Sequence, residues 1–209
     1  MPRPSVSWPP SRSWSGAPAD LVEEVTRTVL QPTVDEMARR GTPFSGLLYA
    51  GLALTGRGVR VIEFNARFGD PETQPLLTRL ATPLGGLLYA AAVGELAAQP
   101  ELEWGTGAAV AVVLAAAGYP GTPTTGGVVS GLEVAADDDD IVVVQAGTAV
   151  GADGQVVSAG GRVLAVVGTG DDLAAARTRA YAGIGRLRLD GSFYRSDIAA
   201  LAARQEASV

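Results

Sequence analysis

The sequence predicts an α+β chain of two units, on three observations. Apolar residues recur at helical spacing in its first half, short β-branched runs separated by Gly, Pro and Asp clusters fill its second, and residues 100–106 form a boundary between them. At 209 residues the chain is long enough for one or two domains with a sizeable core.

Met1–Pro18 is rich in Pro, Ser, Arg and Trp, carries no periodicity, and reads as a disordered leader. Asp20 is the first candidate N-cap, with Glu23 and Glu24 in the following turn. Leu21, Val25, Val29 and Met37 then keep helical spacing, and Gly41 reads as a C-cap. Pro32 interrupts this helix and is expected to kink it or to begin a second one.

Phe44–Leu54 and Val59–Asn65 carry strand signals joined by a glycine turn, Gly56-Arg57-Gly58. The loop Ala66–Pro71 leads into a helix from Glu72 to about Ala81, and a second helix is expected over Pro83–Ala98. Beyond the boundary, Ala108–Ala116, Gly131–Ala135, Ile141–Gln145, Gln155–Ser158 and Arg162–Val167 read as strands of one compact antiparallel sheet. Asp171 is the expected cap of a closing helix over Leu173–Arg186, followed by a tail with a last short helix. The resulting division is a leader over 1–18, a first unit over 19–99 and a second over 100–209.

Composition removes whole classes of chemistry. With no cysteine and no histidine there is no disulfide, no thiolate metal site, no thiol nucleophile and no imidazole base. Ser45, Ser130 and Ser158 therefore have no histidine to serve in a hydrolase triad. All sixteen basic residues are arginine, so the chain offers no lysine to grip a phosphate. A net charge of −6 argues against nucleic acid as a partner and is compatible with a hard divalent cation held by carboxylates. The longest apolar run, Ala108–Ala117, falls short of the roughly 20 residues a bilayer span requires. No membrane association is expected, and the cytoplasm is the expected location. Asp137–Asp140 lacks the alternation and glycine of a calcium loop and reads as a solvated turn.

Chemistry concentrates in Val61–Glu72. Alternate side chains of a strand share a face, so Glu63, Asn65 and Arg67 are expected on one side, with Ile62 and Phe64 toward the core. A carboxylate beside a carboxamide oxygen offers hard ligands suited to Mg²⁺. An arginine one step further can neutralise charge on a transferring phosphoryl group. Such a Glu-x-Asn-x-Arg pattern alone also fits a solvent-facing ion-paired stripe.

The surrounding sequence resembles the glycinamide ribonucleotide synthetases of the ATP-grasp superfamily. The resemblance rests on Gly41–Leu52, on Val61–Gln74 and its Asn-Ala-Arg-Phe-Gly-Asp-Pro-Glu run, and on Gly118–Gly121, Ala146–Thr148, Gly160–Leu164, Ala180-Tyr181 and Tyr194–Ile198, in family order. It implies the C-terminal portion of an ATP-grasp domain followed by a small sheet-rich domain closed by a helix. It implies a phosphoribosylamine–glycine ligase of purine biosynthesis, with ATP, glycine and phosphoribosylamine as substrates and a glycyl phosphate intermediate. Glu63 and Asn65 match the family's Mg²⁺ or Mn²⁺ ligands, which also bind the nucleotide, and Arg67 matches the arginine near the transferred phosphoryl group. Asp70 could orient an amino substrate; Glu72 and Arg162 are lesser candidates. The family's full chain is about twice as long, and its glycine-rich N-terminal domain and nucleotide-covering loop have no counterpart here. The expectation is therefore a truncated ligase inactive alone; the alternatives are a non-catalytic fragment and a subunit complemented by a separate N-terminal half. An apolar face left exposed around Leu47–Leu54 would favour either alternative.

Overall fold

The computed structural model describes residue 18, residues 20–135 and residues 138–208, so the leader reading, apart from Pro18, lies outside the described residues. The chain divides into two compact units. The first holds the described residues up to Gly69 with Leu80–Gly105; the second holds Asp70–Arg79 and the described residues from Thr106 onward. The segment carrying the Asn-Ala-Arg-Phe-Gly-Asp-Pro-Glu run thus changes unit between Gly69 and Asp70.

The first unit opens with one continuous helical run: α1 (Leu21–Val25), a π-helical stretch (Thr26–Leu30) and α2 (Gln31–Arg39). Pro32 lies inside this continuous run, where its missing N–H interrupts the hydrogen-bond ladder, and the wider π turn just before it accommodates the interruption. The Thr33 hydroxyl donates to the Val29 carbonyl at 2.7 Å, satisfying an acceptor at this junction. Gly41 closes the run at φ +78°, its N–H donating to the Ala38 carbonyl.

Strands β1 (Tyr49–Thr55) and β2 (Gly58–Asn65) form an antiparallel two-stranded sheet. Thr55 pairs with Gly58 across the Gly56-Arg57 turn, and Gly58 adopts φ +88°. β1 begins five residues later than the apolar pattern suggested, because Phe44–Leu48 is irregular, with Gly46 at φ +136°. The register steps from Gly51↔Glu63 to Leu52↔Val61, which leaves Ile62 as an unpaired bulge residue. Ile62 and Phe64, expected toward the core, are 71% and 43% exposed. No residue of β2 is buried, so neither face of the strand has a core for these side chains to enter, and the bulge adds to the exposure at Ile62 itself.

After the second unit's α3 (Thr73–Arg79), the chain returns to the first unit for α4 (Leu84–Val93). α4 ends at Gly94 in the left-handed conformation and is followed by one 3₁₀ turn, Leu96–Ala98. Glycine stops the helix earlier than the expected Ala98 because it adopts φ +78° without a Cβ clash.

The second unit is built on a three-stranded antiparallel sheet of order β3 (Ala108–Ala115), β7 (Arg162–Gly170), β4 (Ile141–Gln145). β5 (Thr148–Val150) and β6 (Val156–Ser158) form a separate hairpin, so the single sheet expected from sequence is two. Gly131–Ala135, expected as a strand, instead contains the short helix α5 (Leu132–Ala135). Gly131 at φ +84° turns the chain out of extension, and the Ala135 N–H closes a helical turn on its carbonyl. Strand-like pairing stops just before it, at the isolated bridges of Val128 and Ser130.

Central β7 is buried from Val163 to Gly168, and helix α6 (Leu173–Ile184) lies against it. Asp172 caps α6, not Asp171: its carboxylate accepts from the Ala175 N–H at 2.7 Å. α3 lies against β3 and β7, and α7 (Ala200–Glu206) lies against α6. The fully buried Val112, Val163, Leu164, Val166 and Ile184 form the heart of the core, each stabilising by about 1.5–3 kcal/mol on removal from water.

Candidate functional site

Glu63 and Asn65 sit two residues apart on β2, and the register sets them opposite Gly51 and Tyr49 of β1. The Asn65 amide donates to Glu63 Oε1 at 3.0 Å, so the two side chains share one face and touch. Gly51 makes room for this arrangement: a Cβ there would lie 3.1 Å from Glu63 Cγ. The Asn65 Nδ2 group donates to Glu63 Oε1, which leaves Asn65 Oδ1 and the second carboxylate oxygen as hard donors. Arg67 lies beyond the strand end, in a bend, and its Nη1 donates to the Phe68 carbonyl at 2.8 Å.

Asp70 belongs to the second unit and is held there from two sides. Gln74 Nε2 donates to Asp70 Oδ1 at 2.8 Å, one helical turn on. Arg162, at the start of β7, donates from Nη1 to the Asp70 carbonyl at 2.8 Å and places Nε 3.3 Å from Oδ2. Arg162 is thus bound to another residue of the predicted constellation. Each Asp70 carboxylate oxygen already has one partner and keeps a further lone pair. Sequence reasoning missed Gly51, because its place opposite Glu63 depends on register. It also missed Gln74, for which the Asp-to-Gln spacing of four at a helix start is the available signal.

Glu36 marks a second charged locus in the first unit. Hydrogen bonds from the Arg39 and Arg40 guanidiniums hold its carboxyl below the ordinary glutamate range, and Glu36 in turn raises Arg39. It borders an open groove of about 510 Å³ lined also by Val29, Met37, Val61 and Phe64. Of the Asp137–Asp140 run, Asp137 lies outside the described residues; Asp138 Oδ1 accepts from the Asp140 N–H, and Asp140 pairs with Arg179 at 2.9 Å. These bonds make a turn anchored to α6. Among the described residues no group of three or more Asp or Glu could hold a metal ion.

Comparison with known proteins bears on this geometry. Residues 13–73 match the family model described as phosphoribosylglycinamide synthetase, ATP-grasp (A) domain, and residues 109–201 match the one described as phosphoribosylglycinamide synthetase, C domain. A phosphoribosylamine–glycine ligase of Streptomyces coelicolor is 65% identical over 185 residues, covering 88% of this chain and 44% of the relative. One from Leifsonia xyli is 53% identical over 186 residues, covering 88% of this chain and 45% of the relative. Among solved structures, the phosphoribosylamine–glycine ligase of Thermotoga maritima superposes with a TM-score of 0.74 at 31% identity, covering 87% of this chain and 44% of that one. The chain therefore spans less than half the length of these relatives. With both family models matched in order, and with the fold shared by a solved relative, the chain belongs to the phosphoribosylglycinamide synthetase family.

Proposed function

We propose that this chain carries the metal-holding strand of an ATP-dependent ligase that joins glycine to 5-phosphoribosylamine, yielding glycinamide ribonucleotide, ADP and phosphate. The observation that carries the reading is the Glu63–Asn65 pair, in contact at 3.0 Å on one face of β2, in a chain of this family. Residues 19–99 are assigned to the ATP-grasp portion and 100–209 to the C-terminal domain.

The donor set fits a hard divalent ion. Glu63 and Asn65 provide a carboxylate and a carboxamide oxygen, few enough that waters and substrate phosphates must complete the shell, as Mg²⁺ prefers and Mn²⁺ tolerates. When bound, such an ion neutralises charge on the nucleotide phosphates. Arg67 must give up its bond to the Phe68 carbonyl to present its guanidinium to a transferring phosphoryl group. Asp70 keeps lone pairs with which to orient an amino group, while Gln74 and Arg162 restrain its carboxylate. Glycine's carboxylate takes the phosphoryl group, and the amine of phosphoribosylamine then displaces phosphate from the glycyl phosphate. The reading places the chain in the cytoplasm; no helix among the described residues is long and apolar enough to cross a membrane.

The test is a ligase assay with glycine, phosphoribosylamine and MgATP. The expected result is no ADP release from the chain alone, and glycine-dependent release when the remaining part of the Streptomyces coelicolor relative is supplied as a separate polypeptide. Glu63→Ala should abolish that release, and release that survives the substitution overturns the assignment of the metal site. A second reading, a non-catalytic fragment of the same fold, draws on the exposure of Leu47 and Leu54, each 39%. Complementation with no activity would select it.

A further inference from the structure

The closing segment of the second unit is fastened unevenly. Up to Ile198 it is tied down at several points. Phe193 and Ala115 exchange backbone hydrogen bonds of 2.8 and 2.9 Å. Tyr181 of α6 donates its hydroxyl to the Arg195 carbonyl at 2.6 Å and accepts from the Ile198 N–H at 3.1 Å. Arg177, one turn earlier on α6, donates to the Ser196 and Ile198 carbonyls at 2.7 and 2.9 Å and lies 4.5 Å over the Tyr181 ring. Beyond Ile198 the hold is slight. α7 has seven residues, roughly half of what an isolated helix needs to persist in water. Ala203 is its buried side chain, while Leu201 is 66% exposed. A polar link to α6 is made at the far end of α7, where Glu206 Oε2 accepts from the Leu173 N–H at 2.8 Å.

Between the two stretches stands Ala199, at φ +57° and ψ +6°, the one non-glycine residue at positive φ among the described residues. There the alanine Cβ crowds its own backbone, a cost that glycine does not carry. The surroundings impose the conformation: the Ala203 N–H bonds to the Ala199 carbonyl at 2.9 Å, while Arg177 and Tyr181 fix Ile198 on the other side. Undocking α7 relieves this strain and gives up one carboxylate bond to a helix N-terminus and the burial of one methyl group. We infer that α7 is a latch over the first turn of α6, with Ala199 as its hinge and Glu206 as its catch. The latch opens while the rest of the second unit stays folded, as weakly held terminal elements do. Opening takes from the Leu173 N–H its carboxylate partner, so the first turn of α6 is presented to solvent in the open form alone. None of this rests on the ligase reading.

The experiment follows the full chain by native-state hydrogen exchange and by the rate of trypsin cleavage after Arg204, both of which require α7 to open. In the unsubstituted chain the Leu173 amide should be protected, and its exchange should stay flat across low denaturant concentrations while the β7 amides respond steeply. Ala199→Gly relieves the strain of the docked form and should slow cleavage and Leu173 exchange by about threefold or more. Glu206→Ala removes the catch and should speed cleavage by about threefold or more; Glu206→Gln, which keeps a carbonyl acceptor, should fall between. An unprotected Leu173 amide means that α7 is not docked in solution and overturns the inference. So does a denaturant response shared by Leu173 and β7, which means that α7 leaves only when the whole unit unfolds. Cleavage that is unchanged or faster in Ala199→Gly removes the hinge, and cleavage unchanged in Glu206→Ala removes the catch; either result overturns the latch. The exchange readouts on the unsubstituted chain decide the matter even where a variant fails to fold.

Discussion

The approach of α6 to β7 is decided by single hydrogen atoms. At Gly168 an added methyl group would run into the Ala180 nitrogen and the Ala176 carbonyl, both helix backbone that cannot yield locally. Gly168→Ala is therefore expected to destabilise the second unit by about 1–3 kcal/mol in urea denaturation; a change below about 0.5 kcal/mol would show that the helix slides freely. At Asp197 the controlling force is charge. The Arg195 guanidinium, hydrogen-bonded at 2.6 and 2.9 Å, holds the Asp197 carboxyl below its ordinary range. A depressed folded value contributes stability that is present above the unfolded carboxylate value, about 3.9, and lost as pH falls through the depressed one. Both groups are exposed, so the effect on stability is small and the titration is the better readout. Arg195→Ala should move the Asp197 midpoint upward in an NMR pH titration; an unmoved midpoint would mean the pair does not persist in solution. At this scale the candidate site is half legible from sequence. Alternation alone brings Glu63 and Asn65 together, but Arg162 reaches Asp70 across 92 residues, a contact no local pattern encodes.

At the scale of elements, legibility follows whether the determining interaction is local. α6 shows this well: Asp172 and the Ala-rich run after it define the helix start, and one hydrogen bond to the Ala175 N–H selects Asp172 over the equally plausible Asp171. Asp172→Ala should lower stability by about 0.5–2 kcal/mol, while Asp171→Ala should cost only a few tenths. Equal effects in thermal denaturation would show that the two residues share the cap. Where the determinant is a backbone conformation or a partner strand, the pattern misleads. Gly131 turns its segment into a helical turn although the residues after it suit a strand, and β5 exists only because β6 pairs with it. Pro32 is the intermediate case. Its interruption is visible in sequence, but the π-helical turn that absorbs it arises in the preceding residues, whose composition gives no sign of it.

At the scale of the whole molecule, the two units differ in how completely each encloses its apolar residues. The second has a central strand buried along six consecutive residues with helices laid against its sheet. The first has a long helical run, a hairpin and α4, whose Leu88, Tyr89 and Val93 are exposed. Apolar surface left in water contributes nothing to holding an element in place, so the opening free energies of the two units should be far apart. The chain alone is expected to show native-state hydrogen exchange at least about 100-fold slower in β7 than in β1 and β2, with β7 amides exchanging only through global unfolding of the second unit. In a denaturant series the β1–β2 amides should merge with a low-energy opening, well before the β7 amides respond. A single isotherm shared by both sets would mean that the chain unfolds as one cooperative body, and hence that the apolar surface of the first unit is covered within the chain itself. The two-isotherm result has the opposite consequence for chemistry: the strand bearing Glu63 and Asn65 would be a site ordered only on association, and metal affinity measured on the chain alone would fall below that of the complex by the fraction of time the hairpin is open.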